Sequence, residues 1–109
     1  MLIKPSEVAS HTAACIAKLI PEYLDPDCYT VLLGGAYEMD LLLDHRFDYI
    51  FYTGSLGIGK KIHAKANKYL TPVTLELGGK SPVFIDDTVD YAIAAKRILW
   101  GKCMNMGQT

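Results

Sequence analysis

The sequence predicts an α/β fold, a partial Rossmann-like parallel sheet with flanking helices. Two observations carry this. Short runs rich in strand formers, CYTVLL at 28–33, DYIFYT at 48–53 and VTLEL at 73–77, alternate with stretches of helical period. Each run is closed at once or nearly so by glycine, at Gly34-Gly35, Gly54 and Gly78-Gly79. Strand and helix in repeated alternation is the signature of a parallel sheet covered by helices.

The elements follow in order. Leu2 and Ile3 read as the end of a buried strand. Pro5 and Ser6 supply a helix start, with Ser6 as N-cap. Val8, Thr12, Cys15, Ile16 and Leu19 keep helical spacing, so a helix is expected over about 6–20, its end disturbed by Pro21. CYTVLL is a strand, and AYEMDLLLDH at 36–45 a short helix. DYIFYT is the next strand, and GSLGIGKK opens a helix carrying Ile58, Ile62, Ala66 and Tyr69. VTLEL is a strand with Val73, Leu75 and Leu77 on one face and Thr74 and Glu76 on the other. PVFI at 82–85 reads as a further strand, and a last helix runs from Asp87 or Thr88 to Gly101, with Val89, Ile93, Lys96 and Trp100 near one face.

Composition bounds the function. The chain has 109 residues, half apolar and 21% charged, which is one globular domain or a piece of a larger one. A net charge of -1 gives no footprint for nucleic acid. Cys15, Cys28 and Cys103 are odd in number and form no C-x-x-C pair, which disfavours a disulfide framework or a zinc site. No metal site is expected. A reducing, cytoplasmic compartment fits. Nothing at the start reads as a signal peptide, and no apolar stretch approaches a membrane span; a tail anchor further along a longer chain would not be visible in this sequence.

GSLGIGKK, 54–61, misses the phosphate loop G-x-x-x-x-G-K-[ST] at its last position, where Lys61 cannot ligate a cation. TLELGGKS misses it at the first, where Thr74 replaces glycine, and Pro82 disfavours a helix at Ser81. A magnesium-dependent NTPase is therefore not expected. The glycines also miss the G-x-G-x-x-G dinucleotide fingerprint. What survives is a strand end, a glycine that admits a close approach, and the hydroxyl of Ser55 at a helix N-terminus, where the helix dipole favours a phosphate. A glycine-softened βα turn with no ligand fits the loop alone equally well.

IKPSE, FYTGS with a glycine five positions after its first glycine, LTPVTLELGGKSP and WGKCMNMGQT occur in the order and spacing of the NAD(P)-dependent aldehyde dehydrogenases. The chain resembles that family over its whole length, and most of all the class 3, fatty aldehyde dehydrogenase-like branch. The resemblance implies a site. Lys4 and Glu7 would hold the adenosine ribose hydroxyls. Glu7 would repel a 2′-phosphate and Lys4 attract one, so NAD is favoured and NADP remains open. Read alone, KPSE is a solvated Lys and Glu at a helix start. Gly54 and Ser55 would meet the pyrophosphate, Gly59 would let the helix pack tightly, and Gly78 would line the nicotinamide side. Glu76 would be the general base that activates water against an acyl-enzyme thioester, a task suited to a carboxylate in a dry pocket. Read alone, Glu76 is a carboxylate on the solvated face of a strand.

The family's nucleophilic cysteine follows directly on a G-Q-T pattern, and this sequence stops at Thr109. Cys103 is displaced from the nucleophile's place by about two helical turns. Cys15, Cys28, Trp100, Met104 and Met106 read as packing residues, His11, His45 and His63 as surface residues, and Lys80 and Ser81 as structural. The expected organisation is 1–77 as a partial NAD(P)-binding domain and 78–109 as the start of the catalytic segment. The parent would oxidise aldehydes to acids with NAD or NADP and would be a homo-oligomer, while the isolated chain is expected to be inactive. The alternative is a non-catalytic nucleotide-binding or interaction remnant.

Overall fold

The structure is a computed structural model and describes residues 1–108; Thr109 lies outside the described residues. The chain divides into two compact units, Met1–Arg46 and Phe47–Thr109. Each contains one strand–helix–strand crossover with parallel pairing, as the alternating pattern predicts.

In the first unit, β1 (Leu2–Ile3) pairs in parallel with β2 (Thr30–Val31), Leu2 opposite Thr30 and Ile3 opposite Val31. A 3-10 turn at Glu7–Ala9 leads into α1 (Ser10–Tyr23), and α2 (Ala36–Leu42) follows β2. Ser6 does cap the first turn, its hydroxyl accepting from the Val8 N–H at 3.3 Å. The helix continues two residues past Pro21 instead of faltering there. Its inner face differs from the expected one. Ala13 is buried and Ile16, Ala17 and Ile20 are half-buried, whereas Val8, Thr12, Cys15 and Leu19 are exposed. The small side chains at 13 and 17 let α1 lie close to β2, and this outweighs the larger residues one step round the helix.

In the second unit, β3 (Ile50–Gly54), α3 (Leu56–Ala66) and β4 (Val73–Leu77) form the better-built crossover. The strands pair in parallel from Ile50–Val73 through Gly54–Leu77. Gly59, Ile62 and Ala66 are the buried stripe of α3, spaced as one helical face. Ile62 is 1% exposed. A Cβ added to Gly59 would lie 2.9 Å from Leu77 Cδ2 and 3.8 Å from Leu75 Cδ1, so the helix rests on the leucine face of β4 through a position with no side chain. Below the strands, the Thr71 hydroxyl donates to the Phe47 carbonyl at 2.8 Å and the Ile50 N–H to Pro72 O at 3.0 Å, fixing where pairing begins.

Several expectations are corrected beyond β4. No strand forms at 82–85, and Phe84 is 92% exposed. An extended segment needs a neighbour to take its N–H and C=O groups, and among the described residues none lies beside it. The last helix, α4 (Tyr91–Cys103), starts three or four residues later than expected because Asp90 caps it, accepting from Ala92 N–H at 2.8 Å and Ile93 N–H at 3.1 Å. It buries no residue. Trp100, Met104 and Met106, expected to pack, are exposed, as are Cys15, Cys28 and Cys103. Only Ala13, Leu43, Ile62 and Ala66 are buried hydrophobics among the described residues.

The chain exposes 8808 Å². Many large apolar side chains are exposed, Val8, Phe84 and Met106 among them. In the 109-residue chain, Ile62→Ala is expected to cost about 2–5 kcal/mol, and Trp100→Ser less than about 0.5 kcal/mol. Urea unfolding followed by far-UV circular dichroism checks both; equal costs would contradict the burial pattern.

Candidate functional site

The register of β3 and β4 places the predicted site residues of the second unit. Thr53 lies opposite Glu76 and Gly54 opposite Leu77, so Ser55 and Gly78 leave the paired strands side by side at their carboxyl ends. Neighbouring strands run about 4.8 Å apart. Gly54, Ser55, Glu76 and Gly78 are thereby brought to one edge of the sheet, the position where open parallel sheets bind ligands. A Cβ on Gly54 would sit 2.6 Å from Cζ of the Tyr52 phenol, so a side chain there would require the Tyr52 ring to move. Gly78 and Gly79 border open space.

Ser55 is the N-cap of α3, its Oγ accepting from the Ile58 N–H at 3.4 Å while its carbonyl takes the Gly59 N–H at 2.9 Å. The helix spans 11 residues and carries no acid in its first turn. Its positive end, a hydroxyl and a bare strand end together form a cradle that fits a phosphate. Glu76 stands on the face of the β3–β4 pair turned away from α3, with Phe51, Thr53 and Thr74. It is exposed, and among the described residues nothing covers this face as a layer. A dry pocket around Glu76 therefore needs surface beyond the described residues. Tyr49 and Thr74 share a hydrogen bond between their hydroxyls lower on the pair. Ser81 has φ 40, and no helix begins there, so GGKS builds no phosphate loop.

Lys4 and Glu7 lie in the first unit. Lys4 follows β1 directly, and its Nζ donates to Glu7 Oε2 at 2.7 Å and to the Pro5 carbonyl at 3.1 Å. The lysine is the more buried partner, 12% exposed against 53% for the glutamate. The hydrogen bond from Lys4, then a backbone N–H, then the lysine's charge hold the Glu7 carboxyl below the ordinary glutamate range. Glu7 thus keeps an ionised, half-exposed acceptor at the carboxyl end of β1.

Glu38 is a residue the sequence reading missed. Its Oε2 accepts from the Gly35 N–H at 2.8 Å, closing the turn after β2. The signal for it was present: an acid three residues after a helix's first flanking residue reaches back to that N–H. His11, His45 and His63 are exposed. A shallow depression of about 260 Å³, lined by His63, Asn67, Leu70, Thr71, Pro72 and Val73, lies at the amino end of β4, the far end from Gly78.

Comparison with known proteins decides what this arrangement belongs to. Residues 1–109 match the aldehyde dehydrogenase family. The chain belongs to that family. Its relatives include aldehyde dehydrogenase family 3 member A2 of Macaca fascicularis, 56% identical over 100% of this chain and 22% of the relative. They also include the dimeric NADP-preferring aldehyde dehydrogenase of Rattus norvegicus, 54% identical over 100% of this chain and 24% of the relative. These relatives are family 3 members or their like, in accord with the class 3 branch. Among solved structures, a substrate-bound AldH of Staphylococcus aureus matches 99% of this chain and 24% of its own at TM-score 0.91 and 45% identity. A Mycobacterium tuberculosis aldehyde dehydrogenase complexed with NAD+ matches 99% of this chain and 23% of its own at TM-score 0.86 and 33% identity. This aldehyde dehydrogenase segment thus spans less than a quarter of the length of the proteins it matches.

The Lys4–Glu7 pair gives a pH expectation. Because the folded Glu7 carboxyl titrates below its ordinary value, the pair adds stability above the ordinary glutamate range, and that contribution is lost as pH falls through the folded value. Lys4→Met should move the Glu7 titration up toward the ordinary range, read from its carboxyl carbon shift by NMR; an unmoved titration would rule out the pairing in solution.

Proposed function

We propose that the protein carrying this segment oxidises aldehydes to carboxylic acids with NAD or NADP through a cysteine thioester, and that the segment supplies two parts of the cofactor crevice and the general base. The observation that carries this reading is the β3–β4 register, which gathers Gly54, Ser55, Glu76 and Gly78 at one sheet edge. The mycobacterial neighbour's NAD+ complex and the rat relative's NADP preference support the cofactor class. When bound, the nicotinamide accepts hydride from the substrate. The chain's own residues do the rest of what is assigned to it. Lys4 holds Glu7 ionised for the adenosine ribose, and Ser55 with the α3 N-terminus receives the pyrophosphate. Gly54 and Gly78 keep both strand ends free of side chains there. Glu76 takes a proton from the water that attacks the acyl carbon as the carbon–sulfur bond breaks.

On this reading, residues 1–77 are the cofactor-binding part and 78–109 lead into the catalytic segment. The rat relative is named as dimeric, which supports a homo-oligomeric parent. A cytoplasmic setting accords with three free cysteines and with the absence, among the described residues, of a helix long and apolar enough to cross a membrane. A free-standing nucleotide-binding remnant is the weaker reading, because few side chains are buried and many large apolar ones, Val8, Phe84 and Trp100 among them, stay exposed.

The full-length protein should reduce NAD or NADP in the presence of aldehydes, followed by nicotinamide absorbance. Glu76→Gln should lower turnover by about 10²–10⁴-fold, the usual range for a lost general base. The 109-residue chain alone should give no turnover. Absence of reduction by the full-length protein, or an unaffected Glu76→Gln variant, would overturn the proposal.

A further inference from the structure

We propose that Tyr49 is a positioning residue for the general base, engaging the Thr74 hydroxyl and so keeping it off the Glu76 carboxylate. This rests on the reading of Glu76 given above. Side chains alternate along β4, so Thr74 and Glu76 share the face turned away from α3, two residues and about 6.6 Å apart along the strand. A glutamate side chain is long and flexible enough for its carboxylate to cover that gap. A threonine hydroxyl left free there is a donor ready to bind it. A hydrogen bond to an ionised carboxylate favours that form and weakens it as a base.

The hydroxyl is engaged elsewhere. Thr74 lies opposite Phe51, and Tyr49 stands two residues before Phe51 on the same side of the chain. From there its phenol reaches diagonally across the strand pair to a hydrogen bond with Thr74 Oγ1. Thr74 is half-buried, whereas Tyr49 and Glu76 are exposed. The Glu76 carboxylate has no hydrogen-bond partner among the described residues, Thr53 opposite it included. Thr74 is assigned as the donor: its single O–H then points to the Tyr49 oxygen and none is left for Glu76, in accord with the unbonded carboxylate. The place of Tyr49 is itself fixed. The next residue, Ile50, donates its N–H to Pro72 O at 3.0 Å, and the Thr71 hydroxyl donates to the Phe47 carbonyl at 2.8 Å. The Tyr49–Thr74 bond thus draws the hydroxyl toward the tied end of the pair, away from the carboxyl edge where Glu76 acts.

The test uses the full-length protein and follows both halves of one turnover, reduction of NAD or NADP by stopped flow and decay of the acyl-enzyme by rapid quench. Tyr49→Phe should slow acyl-enzyme decay about tenfold, the effect of one added hydrogen bond to a charged group. First-turnover reduction of the cofactor should stay within about twofold of wild type. Adding Thr74→Val, which removes the freed hydroxyl and keeps the shape, should bring decay back to within about twofold of wild type. Adding Thr74→Ser instead, which keeps the hydroxyl, should leave it slow. If Tyr49→Phe does not fold, Tyr49→Leu carries the same expectations. A purely structural clamp would leave the Val double variant as slow as the single one. That result, an unchanged decay in Tyr49→Phe, an equal fall in both halves, or recovery with Ser would overturn the role of Tyr49 alone. A wild-type protein that reduces neither cofactor, or undiminished acyl-enzyme decay in Glu76→Gln, would overturn the reading of Glu76 and this inference with it.

Discussion

The placement of Gly54, Ser55, Glu76 and Gly78 depends on five consecutive pairings, Ile50–Val73 to Gly54–Leu77. Side chains alternate across a strand, so a slip of one residue would turn Glu76 onto the α3 side and drive Leu77 into solvent. The slip is resisted at both ends. Thr71 and Pro72 tie the start of β4 to Phe47 and Ile50, and Gly59 accepts Leu77 at a distance only a glycine tolerates. Hydrophobic burial of Ile62 and Ala66 holds α3 over this contact. The positions of Ser55 and Gly78 follow from the register and need no further device.

Charge is used sparingly and locally. The Lys4–Glu7 pair lies partly exposed, where Coulomb attraction is screened and an ion pair contributes little to stability. Its value is geometric: it keeps one carboxylate oxygen ordered and ionised at a strand end. Glu38 acts likewise on the neighbouring strand's turn through a single N–H. Glu76 differs from both. It projects from an uncovered face, and its surroundings as a base are a matter for surface that the described residues do not contribute.

The exposed surface has a physical cause. Two-stranded sheets are marginal by themselves and gain stability from further strands or covering layers. Here the 82–85 run lacks a neighbour and stays irregular, and α4 presents Ile93, Leu99 and Trp100 to solvent. The chain spans under a quarter of the length of the family members it matches, and among the described residues the first unit buries only Ala13 and Leu43, while the second has the stripe of Gly59, Ile62 and Ala66.

What was legible in the sequence was local. VTLEL gave the limits and the two faces of β4, Ser6 and Ser55 gave helix starts, and the motifs around Glu76 gave the family. These are readable because period, capping and glycine placement act over a few residues. Where burial decided, the sequence by itself fell short: the inner face of α1 rests on Ala13 and Ala17, Trp100 packs on nothing described, and PVFI forms no strand. Hydrophobicity says that a residue gains by leaving water, but which residues leave it depends on long-range neighbours. Only the tertiary structure supplied those neighbours, through the β3–β4 register, the Gly59–Leu77 contact and the reach of Glu38 to Gly35.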